Sequence, residues 1–304
     1  SGDRSSNLEK ARDALTLALN LRTPVTSPLD YAETLEALAG VHAKLTPGGE
    51  GPQMQLVISE FSEVLRWRKA LDTPVNIARA KMNLAVALYD LSAEDRSRNL
   101  RQSVALLEEV AAELGTLHTS QQYAEAQTSL GLAYMDLFFL GETPRAAATE
   151  AFERALTVYS CEQQPVRRRK VLQHLGRLLA RDGDWPQAHA RLAEAIAITE
   201  RLIDQATTGR ARNAEMADAI DLYSVDAYAL ARLGRPEEAV TVMENARTRT
   251  LTAALRLRHA DVSRLNSEQH RRFSTLAARL QDLDIEASIP RADGIGDTHP
   301  LALS

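Results

Sequence analysis

Residues 122–155 run Gln122-Tyr123-Ala124-Glu125-Ala126, then Leu130-Gly131-Leu132-Ala133-Tyr134, turn at Gly141-Glu142-Thr143-Pro144, and close on Ala148, Phe152 and Ala155. The small and apolar residues of the closing segment keep the four-then-three spacing of one helical face, and Gly and Pro break the chain between the two segments. The stretch therefore reads as two antiparallel helices. Gly131, Ala148 and Ala155 are small where those helices must approach closely, while Tyr134 and Phe152 supply the bulk that fills the space between them. Large and small alternate, so the pair interlocks.

The rest of the chain varies this unit. Asp3-Arg4-Ser5-Ser6-Asn7-Leu8 returns as Asp95-Arg96-Ser97-Arg98-Asn99-Leu100, 92 residues later. Half that interval, 46 residues, separates Tyr31 from Ile77 and Ile77 from Tyr123, and each leads to a small residue: Ala39, Ala85 or Gly131. Pro28 and Pro74 keep the same spacing, each at the start of a first helix, where a missing N–H costs nothing. Second helices carry side chains four and then three positions apart: Ala11/Leu15/Ala18, Val57/Phe61/Val64, Ser103/Leu107/Val110, Ala148/Phe152/Ala155, Ala188/Leu192/Ala195 and Ala239/Met243/Ala246.

Leu130-Gly131-x-x-Tyr134 followed by Ala148-x-x-x-Phe152 matches the tetratricopeptide pattern. The fold expected is all-α, a right-handed superhelical solenoid of antiparallel helix pairs whose concave side is lined by first helices. Helices are expected over about 5–21, 28–45, 52–70, 75–91, 96–114, 120–139, 144–160, 165–182, 185–203, 211–233 and 236–258. Residues 2–258 would form the solenoid, about five and a half repeats. A further helix near 265–286, with Phe273, Leu276, Leu280 and Leu283 at helical spacing, would cap it within a segment spanning 259–286. Residues 287–304 are turn-rich and polar, and read as a linker toward an absent C-terminal domain. The chain opens without Met and within a repeat, so it is expected to be a piece of something longer.

Composition narrows the function. Hydrophobic residues make up 44% of 304 but aromatics only 5%, so Leu and Ala fill the core. A formal net charge of -5 argues against general binding to nucleic acid or to anionic membranes. Cys161 is alone and no metal-ligand spacing appears, which fits a reducing cytoplasm. No apolar run approaches the roughly 20 residues needed to span a bilayer. No cofactor or catalytic constellation is expected. Gly48-Gly49-Glu50-Gly51 lacks the Lys-Ser/Thr of a phosphate loop and reads as a turn. Cys161 reads as a packed side chain, His174 as a packed or groove-facing histidine, and Leu137-Phe138-Phe139-Leu140 as a helix end tucked under the next repeat.

Arg167-Arg168-Arg169-Lys170, with Arg177 and Arg181, is the most suggestive polar feature. Lys170, Gln173 and Arg177 recur every three to four residues on a first helix, and Arg79 and Asn83 on an earlier first helix extend the stripe. Such a face either is simply solvated or takes a protein or peptide segment bearing carboxylates, through charge-assisted hydrogen bonds.

The long repeat, the Asp-Arg-x-x-Asn-Leu segments and the run Glu244-Asn245-Ala246-Arg247-Thr248-Arg249-Thr250-Leu251 together resemble the tetratricopeptide region of bacterial proteins that carry a C-terminal caspase-like CHAT peptidase. In that group the last run has Gly where Ala246 stands and Ala where Thr248 stands. The resemblance covers residues 2–286 and implies a recognition or regulatory arm without catalytic residues of its own. Its partner would be a protein, or its own C-terminal domain. Two other readings compete: a ligand-sensing module of a bacterial transcriptional regulator, and an enzyme with residues scattered over the groove.

Overall fold

The computed structural model describes residues 4–46, 51–71, 74–91, 95–115, 121–206, 209–258, 266–269, 271–272 and 274–276. Its helices are α1 (Arg4–Leu21), α2 (Pro28–Leu45), α3 (Gly51–Leu71), α4 (Pro74–Asp90), α5 (Arg96–Glu113), α6 (Gln121–Phe139), α7 (Arg145–Val158), α8 (Pro165–Arg181), α9 (Trp185–Gln205), α10 (Gly209–Arg232) and α11 (Pro236–Arg258). No end departs from its expected position by more than two residues. Proline stands at the start of α2 and α8, and Asp95 and Asp184 cap α5 and α9 through side chains that accept from Arg98 N and Gln187 N.

Three of the turns share one device. Gly141, Gly183 and Gly234 have φ of 77°, 83° and 74°, a conformation that a Cβ opposes. Each lets the chain reverse while its own N–H and that of the next residue bond back to the helix the chain leaves, as in Gly141 N to Phe138 O and Glu142 N to Leu137 O, both 2.9 Å. The glycine-rich segment 47–50, the linker 287–304 and most of the expected capping helix lie outside the described residues. Within that last stretch, residues 267–269 and 274–276 are helical and Leu276 is 60% exposed.

Each even-numbered helix packs on the odd-numbered helices before and after it, so the pairs stack in chain order. The even-numbered first helices α4, α6, α8 and α10 also approach one another in turn, which makes them the inner row of the stack. The four middle triads of the second helices are buried: Val57, Phe61 and Val64 on α3, Ser103, Leu107 and Val110 on α5, Ala148, Phe152 and Ala155 on α7, and Ala188, Leu192 and Ala195 on α9. The outer triads are looser, with Ala11, Leu15 and Ala18 only partly covered. Terminal units of a solenoid lack a neighbour on one side, so their outer faces stay open.

Close approach is strict at two glycines. A Cβ on Gly131 would lie 2.6 Å from the Phe152 ring, and one on Gly176 would lie 2.6 Å from Leu192. At the corresponding place in an earlier repeat, Ser103 tucks under α4 and its Oγ donates to Ala85 O at 2.7 Å. The repeated Asp-Arg-x-x-Asn-Leu segment has a packing role: Leu100 is fully buried, and Arg96 donates to Asp136 at 2.7 Å while lying over the Tyr89 ring at 4.8 Å. Leu137 is buried, Phe138 and Phe139 pack against the largest core cluster, and Cys161 is half-buried against the same cluster, but Leu140, expected to tuck in with them, is 52% exposed where the chain leaves α6 for the turn.

Candidate functional site

Arg79 and Asn83 lie on α4, and Lys170, Gln173 and Arg177 on α8, so all five belong to the inner row of first helices. The two on α4 are committed to a carboxylate of the chain itself. Arg79 Nε and Asn83 Nδ2 both donate to Glu36 Oε1 on α2, each at 3.0 Å. The other oxygen of Glu36 accepts from Arg68 at 3.0 Å, and the Arg68 side chain is 1% exposed. Glu36 is thus a hub that neutralises a buried guanidinium and anchors the next first helix.

On α8 the pattern is similar but incomplete. Arg177 pairs with Asp221 on α10, and Arg167 pairs with Glu125 on α6. Lys170 is exposed and Gln173 half-buried, and neither has a hydrogen-bond or ion-pair partner among the described residues. Between them and Arg177, His174 lies nearly parallel to Phe152, with ring centroids 6.1 Å apart and planes 13° apart. Burial, and then the charges of Arg177 and Lys170, hold the His174 pKa down to about 4. Its Nδ1 is buried without a hydrogen-bond partner. The imidazole is therefore neutral at pH 7, a polar edge on an apolar stack.

The run Arg167 to Lys170 is not one patch. Successive helical side chains rotate by about a quarter turn. Arg167 turns to α6, whereas Arg168 reaches Glu194 on α9 at 2.8 Å and the carbonyls of Leu156 and Tyr159. Arg169 is 1% exposed and pairs with Glu215 at 3.2 Å. Arg181 lies over the Phe139 ring at 4.3 Å, so its charge also serves packing. Glu36, Glu125 and Asp221 went unread in the sequence, although a signal exists: opposite charges spaced close to one repeat apart on first helices.

Among the described residues, no three His, Cys, Asp or Glu side chains converge as a metal site, and no helix is long and apolar enough to cross a membrane. What the inner row offers is hydrogen bonding and charge, held on rigid helices.

No family model matches the chain, and no curated protein matches it. Solved structures do. BtubC (BKLC) from P. vanneervenii superposes with a TM-score of 0.62 over 83% of this chain and 92% of its own, at 16% identity. A putative kinesin light chain from Podosopora anserina with nearly identical TPR-like repeats gives 0.53 over 72% and 95%, at 18% identity. MamA protein gives 0.50 over 76% and 95%, at 16% identity. At such identities the likeness is one of fold. The chain is an all-α solenoid of tetratricopeptide helix pairs.

Proposed function

We propose that this solenoid is a protein-interaction scaffold whose inner row receives a carboxylate-bearing segment of a partner, with Lys170, Gln173 and Arg177 at the centre and Arg79 and Asn83 at a second position. The observation that carries this is the cationic opening on α8: Lys170 and Gln173 have no internal partner among the described residues, while the same helices bind the chain's own carboxylates elsewhere. Glu36 and Asp221 support a carboxylate as the ligand, since each is a carboxylate already held by a cation of this row. Binding at Arg79 or Arg177 is then an exchange of one carboxylate for another, and its net gain is smaller than that of a fresh ion pair. At Lys170 no carboxylate of the described residues has to be displaced.

The partner is a protein or peptide with acidic residues, and the scaffold acts as a recognition or regulatory module without chemistry of its own. The Glu244 to Leu251 run supports its placement beside a C-terminal CHAT peptidase domain in a cytoplasmic bacterial protein, so that domain is one candidate partner. The test is fluorescence anisotropy with an acidic peptide, and with the C-terminal domain supplied in trans. Lys170→Glu with Arg177→Glu should abolish binding while helicity and melting temperature hold. Binding as tight as the parent's at low salt would reduce the stripe to a solvated face.

A further inference from the structure

On the opposite side of the stack, a cavity of about 610 Å³ opens between α5 and α7, with α6 as its floor. The floor is one helical face of α6, Tyr123, Gln127, Leu130 and Tyr134, and the walls include alanines at 111, 112, 147 and 151. Those small side chains leave unfilled a volume within the range of small-molecule sites. Among the described residues its charged lining is Glu108 on α5, with Glu150 and Arg154 on α7. Arg154 donates to Glu150 at 2.6 Å and Tyr134 Oη donates to Glu108, so each carboxylate keeps acceptor sites open.

The floor contains an unmet polar group. Gln127 is 1% exposed and its Oε1 has no hydrogen-bond partner. Rotation about the terminal bond lets a carboxamide present either its oxygen or its NH2 to a ligand. One period earlier, 46 residues back, the same position is Lys81. Lys81 is 4% exposed, and its ammonium is held by Glu109 at 2.8 Å and by Glu113. At this floor position the fold thus buries an ammonium on an alkyl stem against carboxylates. In the next repeat the ammonium is missing, the position is a neutral amide, and a cavity flanked by two carboxylates and two tyrosine rings remains.

We propose that the α5–α6–α7 cavity binds an organic cation, an ammonium or guanidinium group on an apolar stem. Glu108, Glu150 and the Gln127 carbonyl accept its N–H groups, and the Tyr123 and Tyr134 rings line its stem and charge. An anion meets two carboxylates and one guanidinium that is already engaged, so the site selects against it. The inference is independent of the inner-row reading, which concerns the other face and the opposite charge.

Isothermal titration of the full chain with 1,5-diaminopentane and agmatine tests this, with glutarate as the anionic control and a peptide carrying one unmodified lysine, its N-terminus blocked by acetyl, as the protein-derived source. The parent should give saturable binding of the cations and none of glutarate. Glu150→Gln and Glu108→Gln should each weaken it at least tenfold, and Gln127→Lys, which restores the ammonium seen at Lys81, should abolish it. Tighter binding of the peptide than of the free amines would place the cation on a partner protein, and the reverse would make it a free metabolite. Absence of saturable binding by all three cations, both amines and the peptide, unchanged affinity in Gln127→Lys, or unchanged affinity in both Glu108→Gln and Glu150→Gln with helicity intact, would overturn the assignment.

Discussion

Gly131 on α6 and the ring of Phe152 on α7 are in direct contact, and a single methylene at Gly131 would sit 2.6 Å from two ring carbons. Phe152 is fully buried and also stacks on His174 of α8, so one side chain ties three successive helices together. Gly176 and Leu192 repeat the relationship in the following pair.

Gly131→Ala should destabilise by roughly 1–3 kcal/mol through overpacking, and Phe152→Ala by roughly 3–5 kcal/mol through cavity formation. Solenoid contacts are between neighbours, so the loss should be concentrated around residues 120–180. Hydrogen exchange resolved by segment checks this, and unchanged protection there in both variants would contradict the packing.

Glu36 supports Arg68, which is buried, and Arg79, whose side chain is 47% exposed. Glu36→Gln removes a carboxylate partner of a buried guanidinium and should cost roughly 1.5–3 kcal/mol. Arg79→Ala leaves Glu36 paired with Arg68 and removes only a partner that is itself half exposed, so it should cost about 0–1 kcal/mol. Urea unfolding of the two variants separates them, and equal losses would show that Arg68 does not depend on Glu36.

His174 has its pKa lowered to about 4 by burial and by Arg177 and Lys170. The unfolded chain, with the ordinary value near 6.5, binds the proton first, so stability falls as pH drops from about 6.5 toward 4. The loss from this residue is on the order of 3 kcal/mol at the lower end. His174→Phe keeps an aromatic ring against Phe152 and removes the titration, so its stability should decline less than the parent's over that range. Parallel curves from pH 7 to pH 4.5 would show that the imidazole protonates freely in the folded state.

Asp221 competes for Arg177 with any carboxylate that enters the inner row. Asp221→Asn should therefore tighten binding of an acidic peptide, by up to about tenfold, and steepen its dependence on salt as the Debye length shrinks from about 10 Å at 0.1 M to about 3 Å at 1 M. Lys170→Glu should do the reverse. Peptide titrations at two salt concentrations decide, and weaker binding by Asp221→Asn would mean that the pair organises the groove instead of occupying it.

Helix ends, repeat length and the small-to-large pairing at Gly131 and Phe152 were legible in the chain because they are local: caps, breakers and a three-to-four residue period act within one or two helices. The carboxylate that holds Arg79 stands 43 residues away, and no period within one helix identifies it. Likewise Arg167, Arg168 and Arg169 look equivalent as a run, but a quarter-turn rotation per residue sends them to α6, α9 and Glu215 of α10. Burial of Gln127 with an unmet oxygen, and the cavity above it, arise where three helices meet with alanines on the walls. Sequence by itself determined the helices and their stacking order, since backbone hydrogen bonds and the hydrophobic stripe are set by near neighbours. Which charges are paired inside the fold and which stay open to solvent was decided only by tertiary structure, because that depends on distances between residues a whole repeat apart.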